Sequence, residues 1–445
     1  MKKIFVLLAS MLAAAVFAPQ ASALPAFARQ TGMECKACHQ QHFPVLNSFG
    51  RAFKAGGYTI MGAQTQVEGE HLSIPAVLNG AVLLKLRYQN QKNGNKGIND
   101  GTGTVGGGTG NGQWQFGDEL SLFFGGRVAD NIGFILEGNT VSGGNLLAGL
   151  RVPVMFDMSG AKLSVIPFTT DSLGVSYGYE LSSAGVMRAN RWAESRRDIS
   201  AIQFAMVDGN GSNGSFVNAA SGFAFVAQND FGFINYTRWT PNYAPGAGGQ
   251  ATPSFEMKSN YLRIAATPTL GDWAMVGGVG IMSGTSELDG AGNGTATVPG
   301  TPNSGLVKTE ARFADLQAHG EFGGKPLGIY LTYAKAPAAG GTCGTGVAVA
   351  SGCNAYNSGA FAKSAATIGA DFSVIPDTLH LGLNYRAGTL NTNLKDNSIM
   401  AQAIYDLTQN VALHAMYATR SGSAYDQVTP KSGKNEYLFM LEASW

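Results

Sequence analysis

Charge is scarce in this 445-residue chain. Lysine and arginine number 30, aspartate and glutamate 29, so charged residues make up 13% and the net charge is +1. The usual charged share is about 25%. So balanced a chain has no basic field for nucleic acid and no strong long-range attraction for a charged partner. Cysteine is scarcer, at four residues. A structural zinc site needs four ligands, and no second CxxC or HxxxH lies near the one CxxC. The βαβ setting of a thioredoxin-like disulfide is lacking too. Beyond the first 23 residues no apolar run approaches the ~18 residues of a spanning helix, which excludes a helical membrane protein. Glycine, by contrast, is abundant: 61 residues, about twice the usual share of ~7%.

Residues 1–23 read as a secretory signal peptide. Lys2 and Lys3 precede an apolar run from Ile4 to Phe17, and Ala21-Ser22-Ala23 forms a small-x-small cleavage site. The run is too short for a membrane anchor.

The sharpest chemical signal follows at Cys35-Lys36-Ala37-Cys38-His39. CxxCH is the attachment pattern of c-type haem. Its two thiols form thioethers to the porphyrin vinyl groups, and the adjacent histidine supplies an axial nitrogen to the iron. Export suits this chemistry. Phe43-Pro44 reads as a helix start, with Leu46, Phe49 and Phe53 at helical spacing and Gly56-Gly57 as its end. Arg51 and Lys54 stand where they meet the haem propionates or else form a solvated face. His42 lies too near His39 to reach the opposite face of the porphyrin. Met33 sits just before the first cysteine. Met61 is the expected distal ligand, ahead of His71, and a water-bound or open position is the alternative.

Residues 23–58 resemble the cytochrome part of the fused monohaem cytochrome c–porins found in the outer membranes of iron-oxidising bacteria. Ala23-x-Pro25-x-Phe27-Ala28-Arg29-Gln30-Thr31-Gly32 precedes the haem motif, and Phe43-Pro44-x-Leu46, Gly50-Arg51-x-Phe53-Lys54 and Gly57-Tyr58 follow it. The resemblance implies one covalent haem c, an outer-membrane barrel, and oxidation of extracellular ferrous iron with electrons passed to a periplasmic carrier, another cytochrome. Iron as the donor rests on this resemblance alone.

The remaining chain reads as a transmembrane antiparallel β-barrel without help from the resemblance. Leu379, Leu381, Leu383 and Tyr385 alternate with His380, Gly382, Asn384 and Arg386, and Leu84, Leu86 and Tyr88 alternate with Lys85, Arg87 and Gln89. Apolar-out, polar-in strands suit a lipid-facing wall. Trp114, Phe116, Trp239, Tyr333 and Tyr385 sit toward strand ends, as in interfacial girdles, and the chain closes on alternating Tyr437, Phe439, Leu441, Ala443 and Trp445. Short turns near Asn229-Asp230, Gly271-Asp272, Gly323-Gly324, Pro376-Asp377 and Gln409-Asn410 alternate with long polar loops near 92–113, 242–256, 284–306, 336–362 and 422–433. Candidate strands number about eighteen. RWAESRR at 191–197 is too charged for a strand, so sixteen is the expected count, with eighteen as the alternative.

These readings divide the chain into a signal peptide (1–23), a monohaem cytochrome c plug (24–77) and a porin-like barrel (78–445). Cys343 and Cys353, in one exported loop, are expected to form a disulfide. Asp100, Asp118 and Glu119 are too scattered to mark an iron site, and His319, His380 and His414 read as strand residues. The expected function is a redox one, an outer-membrane electron conduit. The alternatives are a haem-plugged porin passing a solute, and the same conduit with another extracellular donor.

Overall fold

The computed structural model describes residues 25–445 except 63, 71, 93–97, 100–103, 106–111, 141–146, 172, 182–189, 207–218, 242–255, 288–305, 339–356, 358–361, 391–393 and 427–432. His71, Asp100, Cys343 and Cys353 lie outside the described residues.

Sixteen antiparallel staves close into a barrel among the described residues. They are β1 (Gly80–Lys92), β2 (Gln113–Ala129), β3 (Ile132–Asn139), β4 (Leu147–Arg151 and Val154–Met158) and β5 (Ala161–Thr170). After a long excursion come β6 (Ala220–Asn229), β7 (Gly232–Thr240), β8 (Ser259–Ala266 and Thr269–Leu270) and β9 (Trp273–Ser283). Next are β10 (Ala311–Phe322), β11 (Lys325–Ala336), β12 (Lys363–Ile375) and β13 (Leu379–Thr389). The wall ends with β14 (Asn397–Thr408), β15 (Val411–Ser421) and β16 (Asn435–Ser444). Pro153 and Pro268 interrupt β4 and β8, because proline has no N–H to give the ladder. Pairing of β16 with β1, from Asn435 opposite Lys92 to Ser444 opposite Leu83, closes the ring. Trp445 and Val82 exchange backbone hydrogen bonds of 2.8 and 3.0 Å at the seam.

Side-chain parity sets the two faces of the wall. On β13, Leu381, Leu383 and Tyr385 are exposed outward while His380, Asn384 and Arg386 are buried inward. Lys85, Arg87 and Gln89 of β1 are likewise buried in the lumen. The outward face thus offers a belt of Leu, Ile, Val and Phe. Trp114, Phe116, Tyr333 and Tyr385 are exposed on it. Trp239 departs from expectation. It shares parity with the inward Phe233, Asn235 and Thr237 of β7, so it faces the lumen and is fully buried.

All five expected short turns lie at one end of the barrel, at Asp230–Phe231, Gly271–Asp272, Gly323–Gly324, Pro376–Thr378 and Gln409–Asn410. The longer connections at the other end fall largely outside the described residues.

Two segments occupy the lumen. The N-terminal one holds α1 (Pro25–Thr31) and α2 (Ser48–Ala55) and sits at the short-turn end. It bonds inward side chains around much of the circumference: Gln317 of β10 donates to the Leu46 carbonyl at 3.3 Å, Gln228 of β6 to that of Ala55 at 2.9 Å, and His42 reaches Glu442 of β16. At Gly133 of β3 an added Cβ would lie 1.8 Å from the Gly57 carbonyl oxygen, so only glycine admits this approach. The second segment follows β5 and carries α3 (Arg196–Ile199) and α4 (Ala201–Met206). It reaches the wall opposite its origin, where the Ala201 amide donates to Thr332 of β11 at 2.7 Å and Gln402 of β14 donates to the Trp192 carbonyl at 3.2 Å. This excursion replaces two of the eighteen candidate strands and leaves sixteen.

Candidate functional site

The CxxCH segment folds as one 3₁₀ turn, Cys35–Ala37, with the Cys38 and His39 amides both donating to the Cys35 carbonyl at 3.1 and 3.0 Å. The turn brings both cysteines and the histidine to one side. Asn47 fixes it from below. Its side-chain NH₂ donates to the Lys36 and Ala37 carbonyls, both at 3.1 Å, and its oxygen accepts from the Gly50 amide at 2.9 Å. Asn47 is therefore also the N-cap of α2, which starts at Ser48 rather than at Phe43-Pro44. The helix begins where a side chain satisfies its first amides, and Asn does this better than Pro can. Gly50 completes the clamp: a Cβ there would lie 2.0 Å from the Cys38 carbonyl oxygen.

Cys35, Cys38 and His39 line one cavity between the N-terminal segment and the barrel wall. Its atom-free space is about 1240 Å³, open mouth included. Its apolar side is formed by Phe27, Phe43 and Phe53 of the segment and by Leu83, Phe123 and Ile135 of the wall. The two cysteines stand as thiols, and burial pushes the Cys38 thiol up. His39 Nδ1 lies 3.3 Å from the Val45 carbonyl. A carbonyl only accepts, so Nδ1 carries the proton and Nε2 keeps its lone pair, the tautomer a metal-ligating histidine needs. Burial and the neighbouring His42 charge push His39 down to about 4, so it is neutral at ordinary pH. The residues fit a c-type haem: two thiols, a ligand-ready imidazole, an apolar slot, and the basic side chains of Lys54 and Arg151 on its lining.

His42 turns away from that cavity. Its Nδ1 lies 2.9 Å from Asp406 and its Nε2 2.8 Å from Glu442, both on the wall. Burial opposes its charge, but the two carboxylates outweigh this and push it up to about 10. His380 shares Asp406, at 2.8 Å, and His414 lies 3.4 Å from Glu442. This cluster joins the N-terminal segment to the neighbouring strands β13 to β16, and nothing local in the sequence marks it. His319 faces Tyr330, with Nε2 3.3 Å from the hydroxyl.

Other expected residues fall as follows. Met61 is half-buried and does not line the cavity, whereas Met33 does. Lys54 lines it, but Arg51 does not. Arg51 is buried, neither on a solvated face nor at the cavity, and donates to the Leu46 carbonyl at 3.2 Å. Asp118 and Glu119 are held by Arg87 and Lys85, at 2.6 and 2.7 Å.

Above the cavity, the second lumen segment is pinned by buried ion pairs that sequence reading left unassigned. Asp198 binds Arg386 at 2.6 Å and Arg420 at 2.5 Å, and Glu194 binds Arg87 at 2.9 Å and Lys85 at 3.1 Å. The only local sign was the charge density of 191–197.

No family model matches the chain, and no curated protein matches it. Solved structures do. A loop-deletion mutant of OmpT, an outer membrane protein of Vibrio cholerae, is 12% identical with a TM-score of 0.46, covering 83% of this chain and 99% of that one. The outer membrane channel DcaP of Acinetobacter baumannii is 12% identical with a TM-score of 0.45, covering 85% and 99%. An anion-selective porin from Comamonas acidovorans is 12% identical with a TM-score of 0.45, covering 83% and 99%. The barrel itself is established by its own closed strand pairing.

Proposed function

We propose that this chain is an outer-membrane electron conduit. One haem c, attached at Cys35 and Cys38 and ligated by His39, takes electrons from an extracellular donor and hands them to a periplasmic carrier, another cytochrome. The observation that carries this reading is the convergence of both thiols and the ligand-ready side of His39 on one cavity within a barrel lumen. The outward apolar belt supports membrane embedding, and closure leaves no strand edge to satisfy in lipid. Short turns face the periplasm in barrels of this kind.

When bound, the haem supplies a one-electron couple. The chain's own residues do the rest. The Cys35 and Cys38 thiols would hold it as thioethers, Val45 holds the imidazole tautomer, and the aromatic lining would exclude water. Glu34, Lys36 and Asp377 are solvent-accessible at the short-turn end, so the cysteine edge lies near the face a periplasmic carrier approaches. Ferrous iron is the donor that the resemblance at 23–58 implies.

Solute passage is the second reading. A closed barrel of sixteen staves is wide enough for an aqueous channel, the architecture of a porin. Against it stand the two segments that fill the lumen. Oxidised protein facing outward in sealed vesicles separates the readings. Ferrous salt outside the vesicles should reduce the haem. Reduction only by some other outside donor removes iron and keeps the conduit. No reduction by any outside donor, together with solute leakage, supports the porin.

A further inference from the structure

We infer that Arg151, with Lys54 beside it, forms the anchor for the haem carboxylates, and so sets the haem's orientation in the barrel. The inference rests on the haem reading above. Arg151 is on β4, buried to 8% exposure, and lines the same cavity as Cys35 and Cys38. It is wedged between two tyrosine rings, its guanidinium carbon 5.4 Å from the Tyr58 centroid on the N-terminal segment and 4.7 Å from that of Tyr177 on the second segment. One terminal nitrogen donates to the Tyr177 carbonyl at 2.6 Å, and Tyr58 receives a hydrogen bond. None of these partners is a carboxylate, and the buried Nε–H has no hydrogen-bond partner among the described residues.

A buried, unsatisfied donor on a cation is costly, and native structures seldom leave one without a reason. Lys54 is a second basic residue of the cavity. It lines the same cavity, and burial and the Arg151 charge depress its ammonium well below the usual range, with Glu180 offsetting part of this. Two basic side chains at one cavity wall suit a ligand with two carboxylates. Haem c carries two carboxylates, on the edge opposite the thioethers. A planar guanidinium is the side chain best matched to a carboxylate.

The geometry then has a direction. The cysteine turn is bound to the short-turn end, with the Cys35 amide on Gln409 at 3.0 Å and Lys36 on Asp377 at 3.4 Å. Arg151 lies eight residues along the wall from the Ser159–Gly160 turn. The thioether edge therefore faces the periplasmic end and the carboxylate edge the interior of the lumen, where electrons arrive from outside.

The test uses the full-length protein in detergent. Covalent haem is first confirmed on a denaturing gel, and the haem midpoint potential is then titrated in the unaltered protein and in Arg151→Gln, Arg151→Lys and Lys54→Gln. Removing a cation beside the haem disfavours the reduced form. Arg151→Gln should lower the reduction equilibrium about tenfold, 59 mV for one electron. Arg151→Lys, which keeps the charge, should restore most of this. Lys54→Gln should lower it without changing the iron spin state. Unmoved potentials with haem attached overturn the assignment alone, and a spin-state change in Lys54→Gln overturns it by making Lys54 an iron ligand. Absence of covalent haem from the unaltered protein removes the function reading and this assignment together.

Discussion

His42 Nε2 lies 2.8 Å from Glu442 Oε1, across 400 residues of sequence. With Asp406 on its other nitrogen, this histidine fastens the N-terminal segment to β14 and β16. Removing one partner of a buried ion pair costs about 3–5 kcal/mol, and here the low end applies because His380 still faces Asp406 and His414 and Lys85 still face Glu442. His42→Ala should therefore loosen the segment while the barrel stays intact. Trypsin cleavage after Arg51, buried in the docked segment, should accelerate by two orders of magnitude or more, with unchanged β circular dichroism.

The same contact predicts a pH dependence of docking. The docked value of His42, about 10, lies above its ordinary 6.5. Between these values the docked state holds a proton that the undocked state lacks. The stabilisation is fully present below pH 6.5 and is lost as pH rises through 10. Cleavage after Arg51 should rise across that window in the unaltered protein and stay flat in His42→Ala, once corrected for the protease's own pH profile.

Gly50→Ala should disturb the cysteine turn, because the new Cβ meets the Cys38 carbonyl oxygen. Overpacking of this kind costs about 1–3 kcal/mol. The fraction of chains carrying covalent haem should fall while barrel assembly is unchanged. Asn47→Ala should act the same way but more weakly, by about 1 kcal/mol, the worth of a helix cap.

Asp198→Asn should open the lumen. Arg386 and Arg420 both bind this carboxylate, and its neutralisation leaves them to their wall-side partners Asp396 and Glu436, which do not hold the segment. Planar-bilayer conductance should increase over the unaltered protein, whose lumen holds both segments. Equal conductance in the two would show that the second segment is held by its apolar contacts instead.

Much of the wall was legible because parity is a local property. Leu381, Leu383 and Tyr385 face out for the reason their spacing announces, and the tight turns at Gly271 and Gly323 are marked by glycine. Trp239 was misread because an aromatic near a strand end looks the same on either face. Only its phase relative to Phe233 and Asn235 shows that it points inward. The grouping of Cys35, Cys38 and His39 at one cavity was legible because their close spacing lets one turn of chain bring them together. Asn47 and Gly50 lay in plain view, but their role depends on a turn that folds back over the helix. The His42–Asp406–Glu442 contact and the site of Arg151 were not legible, since each depends on how a lumen segment docks against the wall. The stretch at 191–197 was legible negatively, as too charged to be a strand, and the ion pairs of Glu194 with Lys85 and Arg87 of β1 account for part of that charge.

The claim on which the rest stands is covalent haem at Cys35 and Cys38. It is tested most directly by haem staining after denaturing electrophoresis, comparing the unaltered protein with the Cys35→Ala, Cys38→Ala double variant, both produced with export and haem-attachment machinery intact. The account predicts a stained band at the full-length barrel in the first and none in the second, with equal protein in each. An unstained band in the unaltered protein, or a stained one that survives loss of both thiols, would contradict it.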